Sequence, residues 1–310
     1  MNKYPVWIDT DTGVDDAIAL LTAFKLDKLD VVGVSAVAGN TTLENAFRNA
    51  RNVVYLAGRQ DVKVYAGADK PLIKDLVIAP HAHGENGLGG AIIDESPAVK
   101  EDKKAWDAMY EMAKQLNGEM TLIAVGPLTN VAIAIAKHPD FVNYIKCINI
   151  MGGACDGGNS TPCAEFNIYT DPHAAQTVFK SGAHVNMFGL DVTLKAILTP
   201  EQGDEVKTYG NKASKLFADS TGLMYHLYEA HIQPGLAMHD CCPVVYMQYP
   251  ELFTGVDCGI YVETKGELTT GKTVSDIWTD CKYEDRYCSA FLDVDTDKFA
   301  KLIMDIYKQY

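Results

Sequence analysis

The chain has 310 residues, of which 47% are hydrophobic and 22% charged, a composition typical of a folded globular protein and not of a disordered one. Its formal net charge of −14 would repel phosphate backbones and anionic lipid, so we expect neither a nucleic-acid partner nor a membrane. The eight cysteines include no Cys-x-x-Cys pair, which argues against a zinc site or a disulfide scaffold. The N-terminal residues lack the apolar run of a signal peptide, and we therefore expect a cytoplasmic protein.

Short β-branched segments alternate along the chain with segments of helical periodicity. Strands are predicted at residues 6–8, 31–37, 62–65, 120–125, 144–151 and 184–189. Helices are predicted between most of them, and 15–26, 43–57 and 171–180 carry plausible capping residues. Residues 200–249 are predicted to be helical, 255–293 contain β-prone pieces, and 296–310 form a final helix.

This β-α-β order predicts an α/β fold with a mainly parallel sheet flanked by helices, an open sheet of the Rossmann type, with helical and small antiparallel C-terminal additions. No linker, low-complexity tract or repeat divides the sequence, so we expect residues 1–310 to form a single domain. Ligands of such sheets bind at the carboxyl ends of the strands. The loops 9–16, 38–41, 125–130 and 151–167 are therefore predicted to share one crevice.

The first of these loops carries four carboxylates within eight residues, at Asp9, Asp11, Asp15 and Asp16. Like charges at that density are unfavourable unless a cation neutralises them, and oxygen ligands suit a hard ion such as Ca²⁺ or Mg²⁺. Gly13 permits the tight turn that would let the carboxylates converge. The alternative is a solvated loop in which the last two acids favour the N-terminus of the next helix. The pattern favours a metal site.

The other three loops offer amides, one carboxylate and backbone carbonyls. The second loop contains Asn40, the third begins at Val125, and the fourth holds Asn159, Glu165 and Asn167 after a pair of glycines. Such a set suits a polyhydroxylated ligand. The alternative is that these are ordinary strand-to-helix turns, with the residues of the fourth loop forming turns and helix caps.

Two histidines are candidate functional residues. His239 precedes Asp240 at the start of a predicted helical stretch, and a histidine near a metal-bound carboxylate can serve as a general acid. His83 lies in a Gly-rich segment of the kind that often closes over substrates. Either histidine could instead be structural, and Asp240 alone would be interpreted as a helix N-cap. Tyr228 and His231 lie upstream of His239 at helical spacing.

The chain contains, in order, Asp-Thr-Asp-Thr-Gly-Val-Asp-Asp-Ala from Asp9, Ala-Gly-Asn-Thr-Thr from Ala38, Gly-Pro-Leu-Thr-Asn-Val-Ala from Gly126, Met-Gly-Gly from Met151, Ala-Glu-Phe-Asn from Ala164 and Met-His-Asp from Met238. Taken together, these motifs resemble those of the inosine-uridine-preferring nucleoside hydrolases. Their order and spacing make the resemblance specific from Asp9 to about Pro243. One departure is Thr12, where the family usually has proline; it alters local stiffness but removes no ligand.

The resemblance implies hydrolysis of the N-glycosidic bond of ribonucleosides, an α/β sheet fold, one Ca²⁺ per subunit and a homotetramer or homodimer. It implies that Asp11, Asp16 and Asp240 ligate the ion through carboxylates and Val125 through its carbonyl, with Asp11 also the general base for the attacking water. His239 would protonate or steer the leaving base. The predicted substrate contacts are Asp15, Asn40, His83, Asn159, Glu165, Phe166, Asn167, Tyr228 and His231.

Base preference depends on fewer residues. The pair His83 and His239 resembles members that accept inosine and uridine or favour pyrimidines, and the stacking tryptophans of the purine-specific branch have no obvious counterpart. We therefore expect a preference for uridine and cytidine, with inosine activity in addition. The alternatives are a purine-preferring nucleoside hydrolase, a Mg²⁺-dependent phosphohydrolase built on the Asp-x-Asp loop, and a non-catalytic nucleoside sensor.

Overall fold

The computed structural model describes residues 3–230, 234–278 and 288–310. Its strands are β1 (Tyr4–Thr10), β2 (Leu29–Ala36), β3 (Val64–Ala66), β4 (Met120–Ala124), β5 (Ile145–Met151), β6 (Val185–Phe188), β7 (Ile197–Leu198), β8 (Leu236–Ala237), β9 (Phe253–Val262), β10 (Thr273–Asp276) and β11 (Cys288–Val294). Each of the six predicted strands falls on an observed one.

The helices lie between most of these strands. They are α1 (Val14–Lys25), α2 (Leu43–Leu56), α3 (Pro80–His83), α4 (Ala105–Leu116), α5 (Thr129–Lys137), α6 (Phe166–Thr170), α7 (Pro172–Phe179), α8 (Leu190–Thr193), α9 (Pro200–Lys207), α10 (Lys212–Ser220), α11 (Gly222–Ala230), α12 (Cys241–Tyr246) and α13 (Thr296–Tyr307). Within the described ranges, no helix is long and apolar enough to cross a membrane.

The main sheet of the described chain has nine strands in the order β10-β9-β11-β6-β5-β4-β1-β2-β3. Neighbours from β11 to β3 pair in parallel, whereas β9 lies antiparallel to both β11 and β10. The predicted α/β class, with a small antiparallel C-terminal addition, is therefore confirmed. The prediction of continuous helix over residues 200–249 is wrong at Leu236–Ala237, because β8 pairs there with β7.

Strand β1 is buried on both faces because helices cover the sheet from both sides. Val6 and Ile8 belong to the hydrophobic core on one face, and Trp7 belongs to the core on the other. The neighbouring strand provides Gly33 opposite Trp7, where a Cβ would lie 2.4 Å from the indole ring. The indole Nε1 donates to Ser35 Oγ at 2.8 Å. The first strand is thereby held between β4 and β2.

The loops that leave the neighbouring strands β4, β1 and β2 begin side by side. The N–H of Val125 donates to the Asp9 carbonyl at 2.8 Å, which joins the loop after β4 to the end of β1. The N–H of Val37 donates to the Thr10 carbonyl at 3.0 Å, which joins the end of β2 to the same point. The sheet therefore gathers these loops at the carboxyl end of β1, as the sequence predicts.

Candidate active site

Four aspartates meet where β1 ends. Asp11, Asp15 and Asp16 lie on the loop and the first turn of α1, and Asp240 precedes α12, which packs against α1. Asp11 and Asp16 are 0% exposed, Asp240 is 2% exposed and Asp15 is 7% exposed. The solvated loop of the alternative is therefore wrong, because these carboxylates are withdrawn from water, although Asp15 and Asp16 do lie in the first turn of α1 as that alternative expected.

The arrangement of their oxygen atoms could hold a metal ion. One oxygen each from Asp15, Asp16 and Asp240 lies within 4.8 Å of the other two, and the carboxyl group of Asp11 adjoins that of Asp16. Considering only partners in the described ranges, Asp11 Oδ1, Asp15 Oδ1 and Asp240 Oδ2 take part in no hydrogen bond. Buried carboxylate oxygens without donors are unfavourable unless a cation compensates them, and an all-oxygen set fits a hard cation.

The pKa values agree with this interpretation. Burial, together with the neighbouring Asp16, raises the pKa of Asp11 well above its usual range. Burial and the charge of Asp15 raise the pKa of Asp240 well above its usual range, and burial raises the pKa of Asp15 to about 6. Ionising all of these groups near neutral pH therefore requires a compensating positive charge.

Hydrogen bonds from nearby residues hold two of the carboxylates in place. Asp16 Oδ1 accepts from Thr10 Oγ1 at 2.5 Å, while its Oδ2 accepts from the Gly13 N–H at 2.8 Å and from Asn40 Nδ2 at 3.0 Å. The N–H of Asn40 donates to Asp11 Oδ2 at 2.6 Å. Asn40 thus joins the loop after β2 to both acids.

Two glycines enclose the Asp11 carboxylate. A Cβ on Gly39 would lie 2.2 Å from Asp11 Oδ2, and a Cβ on Gly126 would lie 2.8 Å from Asp11 Oδ1. Any side chain at either position would displace the carboxylate. The glycines of the Ala-Gly-Asn and Gly-Pro motifs therefore serve the site, a role that sequence reasoning did not assign to them.

Asn167 connects the fourth loop with the end of β4. Its Nδ2 donates to the Val125 carbonyl at 2.8 Å and to the Met151 carbonyl at 3.2 Å. A carbonyl oxygen has two lone pairs, so Val125 can still offer one to a metal ion.

The remaining residues of the fourth loop cap and turn the backbone. Glu165 Oε1 accepts from the Asn167 N–H at 2.9 Å, and Oε2 accepts from Ile168 at 3.1 Å, which caps α6. Asn159 Oδ1 accepts from the N–H of Phe166 at 2.9 Å. Glu165 and Asn159 therefore make the helix-cap and turn contacts that the alternative interpretation expects. Burial raises the pKa of Glu165 to about 7. Their contact with a substrate stays a prediction.

His239 is held by both of its ring nitrogens. Nε2 lies 2.6 Å from the hydroxyl of Tyr228 on α11, and Nδ1 lies 2.8 Å from the hydroxyl of Thr193 on α8. Burial, with a smaller contribution from His83, lowers the pKa of His239 to about 4. The ring is therefore neutral at pH 7, with one nitrogen donating and the other accepting.

His83 lies against the start of α1. Its Nδ1 accepts from the N–H of Val14 at 3.2 Å and lies 3.9 Å from Asp15 Oδ1. Burial lowers the pKa of His83 to about 4. Because Nδ1 accepts a hydrogen bond in the neutral ring, the proton is on Nε2.

The predicted contact at His231 lies outside the described residues. Tyr225, which shares α11 with Tyr228, instead contacts α9, where a Cβ on Gly203 would lie 1.8 Å from its hydroxyl. Sequence reasoning missed the hydroxyl of Thr193, for which no neighbouring motif gives a signal.

The sequence matches one family of known proteins over nearly its whole length. Residues 6–301 match the profile of the inosine-uridine preferring nucleoside hydrolases. The chain belongs to this nucleoside hydrolase family. It is similar to the pyrimidine-specific ribonucleoside hydrolase RihA of Shigella boydii serotype 4, with 40% identity over 99% of each chain.

Solved nucleoside hydrolases share the fold. The chain superposes on the plant nucleoside hydrolase PpNRh1 with a TM-score of 0.92 and 30% identity, covering 99% of each chain. It superposes on the purine-preferring ribonucleoside hydrolase of Gardnerella vaginalis with a TM-score of 0.91 and 32% identity, over 99% of this chain and 100% of the other. This nucleoside hydrolase is therefore an enzyme that hydrolyses the N-glycosyl bond of ribonucleosides.

Proposed function

We propose that the chain is a Ca²⁺-dependent hydrolase that releases ribose and free base from ribonucleosides, with a preference for uridine and cytidine and some activity on inosine. The observation that carries the proposal is the group of buried aspartates with unpartnered oxygens at the carboxyl end of β1. The pyrimidine preference is supported by relatives about 40% identical whose names describe them as pyrimidine-specific.

The aspartates and one carbonyl form the proposed metal site. Asp11, Asp16, Asp240 and the Val125 carbonyl would hold one Ca²⁺, which would neutralise the buried charge, bind ribose hydroxyls and lower the pKa of a water molecule. Asp15 offers an oxygen to the same group, which suits a contact with a ribose hydroxyl beside the ion. Asn40 keeps two of the carboxylates in place through its amide and backbone N–H.

Asp11 is the proposed general base. Its Oδ2 is held by the Asn40 N–H, whereas Oδ1 has no donor in the described part of the chain and is free to accept a proton. Water attacks C1′ of the ribose, its proton passes to Asp11, and the bond from C1′ to the base breaks. The negative charge of the surrounding acids stabilises the positively charged, oxocarbenium-like transition state.

The departing base takes the electron pair of the broken bond and needs a proton. The pair of Tyr228 and His239 is the proposed source, because the two side chains share a short hydrogen bond and Thr193 fixes the histidine ring. His83 lies at the start of α1 beside Asp15, a position from which its Nε2–H could contact the base.

The ribose is the part that all substrates share. We propose that its hydroxyls are bound by five side chains, those of Asp15, Asn40, Asn159, Glu165 and Asn167. Phe166 is proposed to contact the substrate beside them. Glu165 caps α6 and Asn167 lies in its first turn, from which it contacts Val125, so the proposed ribose contacts are joined to the proposed metal ligand. A homodimer or homotetramer stays a prediction of the family resemblance.

The proposal is tested by measuring ribose release from uridine, cytidine, inosine and adenosine. The protein is first stripped with a chelator, then assayed without metal, with Ca²⁺ and with Mg²⁺. We expect release only after metal is restored, best with Ca²⁺, and faster from the pyrimidine nucleosides. Asp11→Asn should abolish release, whereas Asp257→Asn, a carboxylate bonded to Ser289 on the C-terminal strands, should not.

Full activity in excess chelator would contradict the metal site. Faster release from inosine and adenosine than from uridine would replace the pyrimidine preference by a purine preference. Tight nucleoside binding without ribose release would identify a sensor, and phosphate release from sugar phosphates with Mg²⁺ would identify a phosphohydrolase.

A further inference from the structure

The turn that follows β5, residues 152–156, leads from the sheet toward Glu165. We call it the Gly153 turn. Gly153 has a φ of +78°, in the left-handed region that favours glycine. A Cβ there would lie 2.8 Å from Thr273 Cγ2 and 2.9 Å from Met187 Sδ, so the position also lacks space for a side chain. The turn is therefore packed directly against the C-terminal strand β10.

The side chains of Thr273, the first residue of β10, and of Lys272 just before it bind the backbone of this turn. The Thr273 hydroxyl accepts from the N–H of Ala154 at 2.9 Å and donates to the carbonyl of the same residue at 2.7 Å. Lys272 Nζ donates to the Ala154 carbonyl at 3.1 Å and to the Cys155 carbonyl at 2.9 Å. Thr273 is 1% exposed, so water does not compete with its hydroxyl.

A carboxylate from α8 binds the other side of the turn. Asp191 Oδ2 accepts from the Cys155 N–H at 2.7 Å, and Oδ1 accepts from the Asp156 N–H at 3.1 Å. The N–H of Leu190 donates to the Gly153 carbonyl at 2.9 Å. The backbone between Gly153 and Asp156 is thus fixed by groups from two separate elements, which allows it little freedom.

The fixed turn presents one N–H to the site. Gly153 N–H donates to Glu165 Oε2 at 2.9 Å, and Glu165 also caps the helix that carries Asn167. Asn167 in turn donates to the Val125 carbonyl. Hydrogen bonds joined by short covalent links therefore connect Thr273, through the Gly153 turn and Glu165, with the loop that follows β4.

We propose that Thr273 is a positioning residue for the ribose side of the active site. By holding both polar groups of Ala154, its hydroxyl aims the Gly153 N–H at Glu165 and fixes that carboxylate. This inference rests on the proposed function, in which Glu165 and Asn167 bind ribose hydroxyls. Preorganisation of this kind matters because small displacements of substrate-binding groups reduce activity steeply.

The test compares Thr273→Val, which keeps the approximate shape and removes the hydroxyl, with Thr273→Ser, which keeps the hydroxyl. Steady-state kcat and KM are measured on the nucleoside that the wild type hydrolyses best and on p-nitrophenyl riboside. Both substrates contain ribose, so Thr273→Val should lower kcat/KM on both by roughly 10- to 100-fold. Thr273→Ser should keep wild-type kinetics.

The matched control is Thr270→Val, in the same hairpin. The Thr270 hydroxyl donates to the Gly266 carbonyl, so this variant loses a similar hydrogen bond without touching the Gly153 turn. It should keep wild-type kinetics. If Thr273→Val fails to fold, as judged by its thermal unfolding, Lys272→Met replaces it and should lower kcat/KM in the same direction.

Wild-type kinetics in Thr273→Val, or in Lys272→Met where that variant replaces it, would overturn the proposal. Equal losses in Thr273→Val and Thr273→Ser would also overturn it, because the hydroxyl would then not be the group that matters. Failure of the proposed function gives a different result, since the wild-type enzyme would then release no ribose from any nucleoside.

Discussion

The hydroxyl of Tyr228 and Nε2 of His239 lie 2.6 Å apart, although the two residues come from different elements, α11 and the segment before α12. The other ring nitrogen of His239 is engaged by Thr193, and burial lowers the pKa of the ring to about 4. A neutral imidazole whose two nitrogens are both hydrogen-bonded is a poor proton donor by itself. The tyrosine and histidine are therefore expected to act as a pair.

Replacing either member of this pair should slow the hydrolysis of nucleosides whose base must be protonated in order to leave. Tyr228→Phe and His239→Ala should each lower kcat on uridine by roughly 10²- to 10⁴-fold, the range for loss of general acid catalysis. The loss on p-nitrophenyl riboside should be much smaller, because its leaving group departs without protonation. Steady-state kinetics on both substrates check this.

Tyr225→Phe is the control for that experiment, since it makes the same change on the same helix. The Tyr225 hydroxyl has no hydrogen-bond partner in the described ranges, so its removal should leave both substrates at wild-type rates. Equal losses on uridine and p-nitrophenyl riboside in Tyr228→Phe would remove the pair from the proton-donating role.

Replacing one aspartate of the acidic group should have opposite effects with and without metal. In chelator, Asp240→Asn should be more stable than the wild type, because the wild-type carboxyl must on folding either take up a proton or stay charged among other buried acids, and an amide need do neither. At a Ca²⁺ concentration of 100 times Kd, the wild type should gain about 2.7 kcal/mol, and the variant should gain much less. Urea unfolding under both conditions measures the difference.

Asp257→Asn serves again as the control, and its stability should respond to Ca²⁺ as the wild type does. Wild-type stability that is the same in chelator and in Ca²⁺ would argue against a metal site at these aspartates.

The position of the acidic group could be predicted from sequence, because its signals are local. Asp9 to Asp16 directly follow a β-branched run, and a parallel sheet brings the loops after neighbouring strands to one edge. The order of the motifs then suggested which loops would meet. Burial of the aspartates could not be predicted from the loop alone, since it depends on α12 packing against α1 from the far end of the chain.

The contacts that support the site were beyond sequence reasoning because they join residues far apart in the chain. Thr193 and His239 are 46 positions apart, and Ala154 and Thr273 are 119 positions apart. A threonine in a strand or short helix has many ordinary uses, so neither hydroxyl gives a signal. The short strand β8 was also missed, because two residues are too few to show a period.

The buried carboxyl of Glu165 should make stability depend on pH. Its pKa is about 7 in the folded protein against an ordinary value of 4.5, so between these values the folded state keeps a proton that the unfolded state releases. Wild-type stability relative to Glu165→Gln should therefore fall as pH rises from 4.5 to 7, and then level off. Urea unfolding in chelator at several pH values checks this.

A constant difference between the two proteins across that range would mean that Glu165 titrates normally when folded. His83→Gln is a useful opposite control, because its folded pKa of about 4 lies below the ordinary 6.5. Wild-type stability relative to that variant should rise as pH increases from 4 to 6.5.

Nucleotides should be poor substrates. The site gathers buried acids in a protein of net charge −14, and a phosphate on the ribose adds further negative charge. We expect kcat/KM for uridine 5′-monophosphate to be roughly tenfold or more below that for uridine, since about 1.4 kcal/mol of repulsion is enough. 5′-O-methyluridine separates size from charge, and an equal loss with that neutral substrate would assign the effect to size.

A single methyl group on α9 should disturb α11. Alanine is favoured over glycine inside a helix by about 1 kcal/mol, yet a Cβ at Gly203 would lie 1.8 Å from the Tyr225 hydroxyl. Displacing a packed ring costs roughly 1–3 kcal/mol, so Gly203→Ala should lower the free energy of unfolding. Because Tyr228 lies one turn farther along α11, the variant should also slow the hydrolysis of uridine more than that of p-nitrophenyl riboside.

Gly222→Ala is the matched control, because an added Cβ at the start of the same helix would have no atom within 4 Å among the described residues, apart from its chain neighbours and the backbone of the helix itself. It should keep wild-type kinetics and be at least as stable as the wild type. Tyr225→Phe removes the oxygen nearest to the new methyl group, so the double variant Gly203→Ala, Tyr225→Phe should recover part of the loss. If the two substitutions are additive instead, the steric contact is not the cause, and α11 is positioned by its other neighbours.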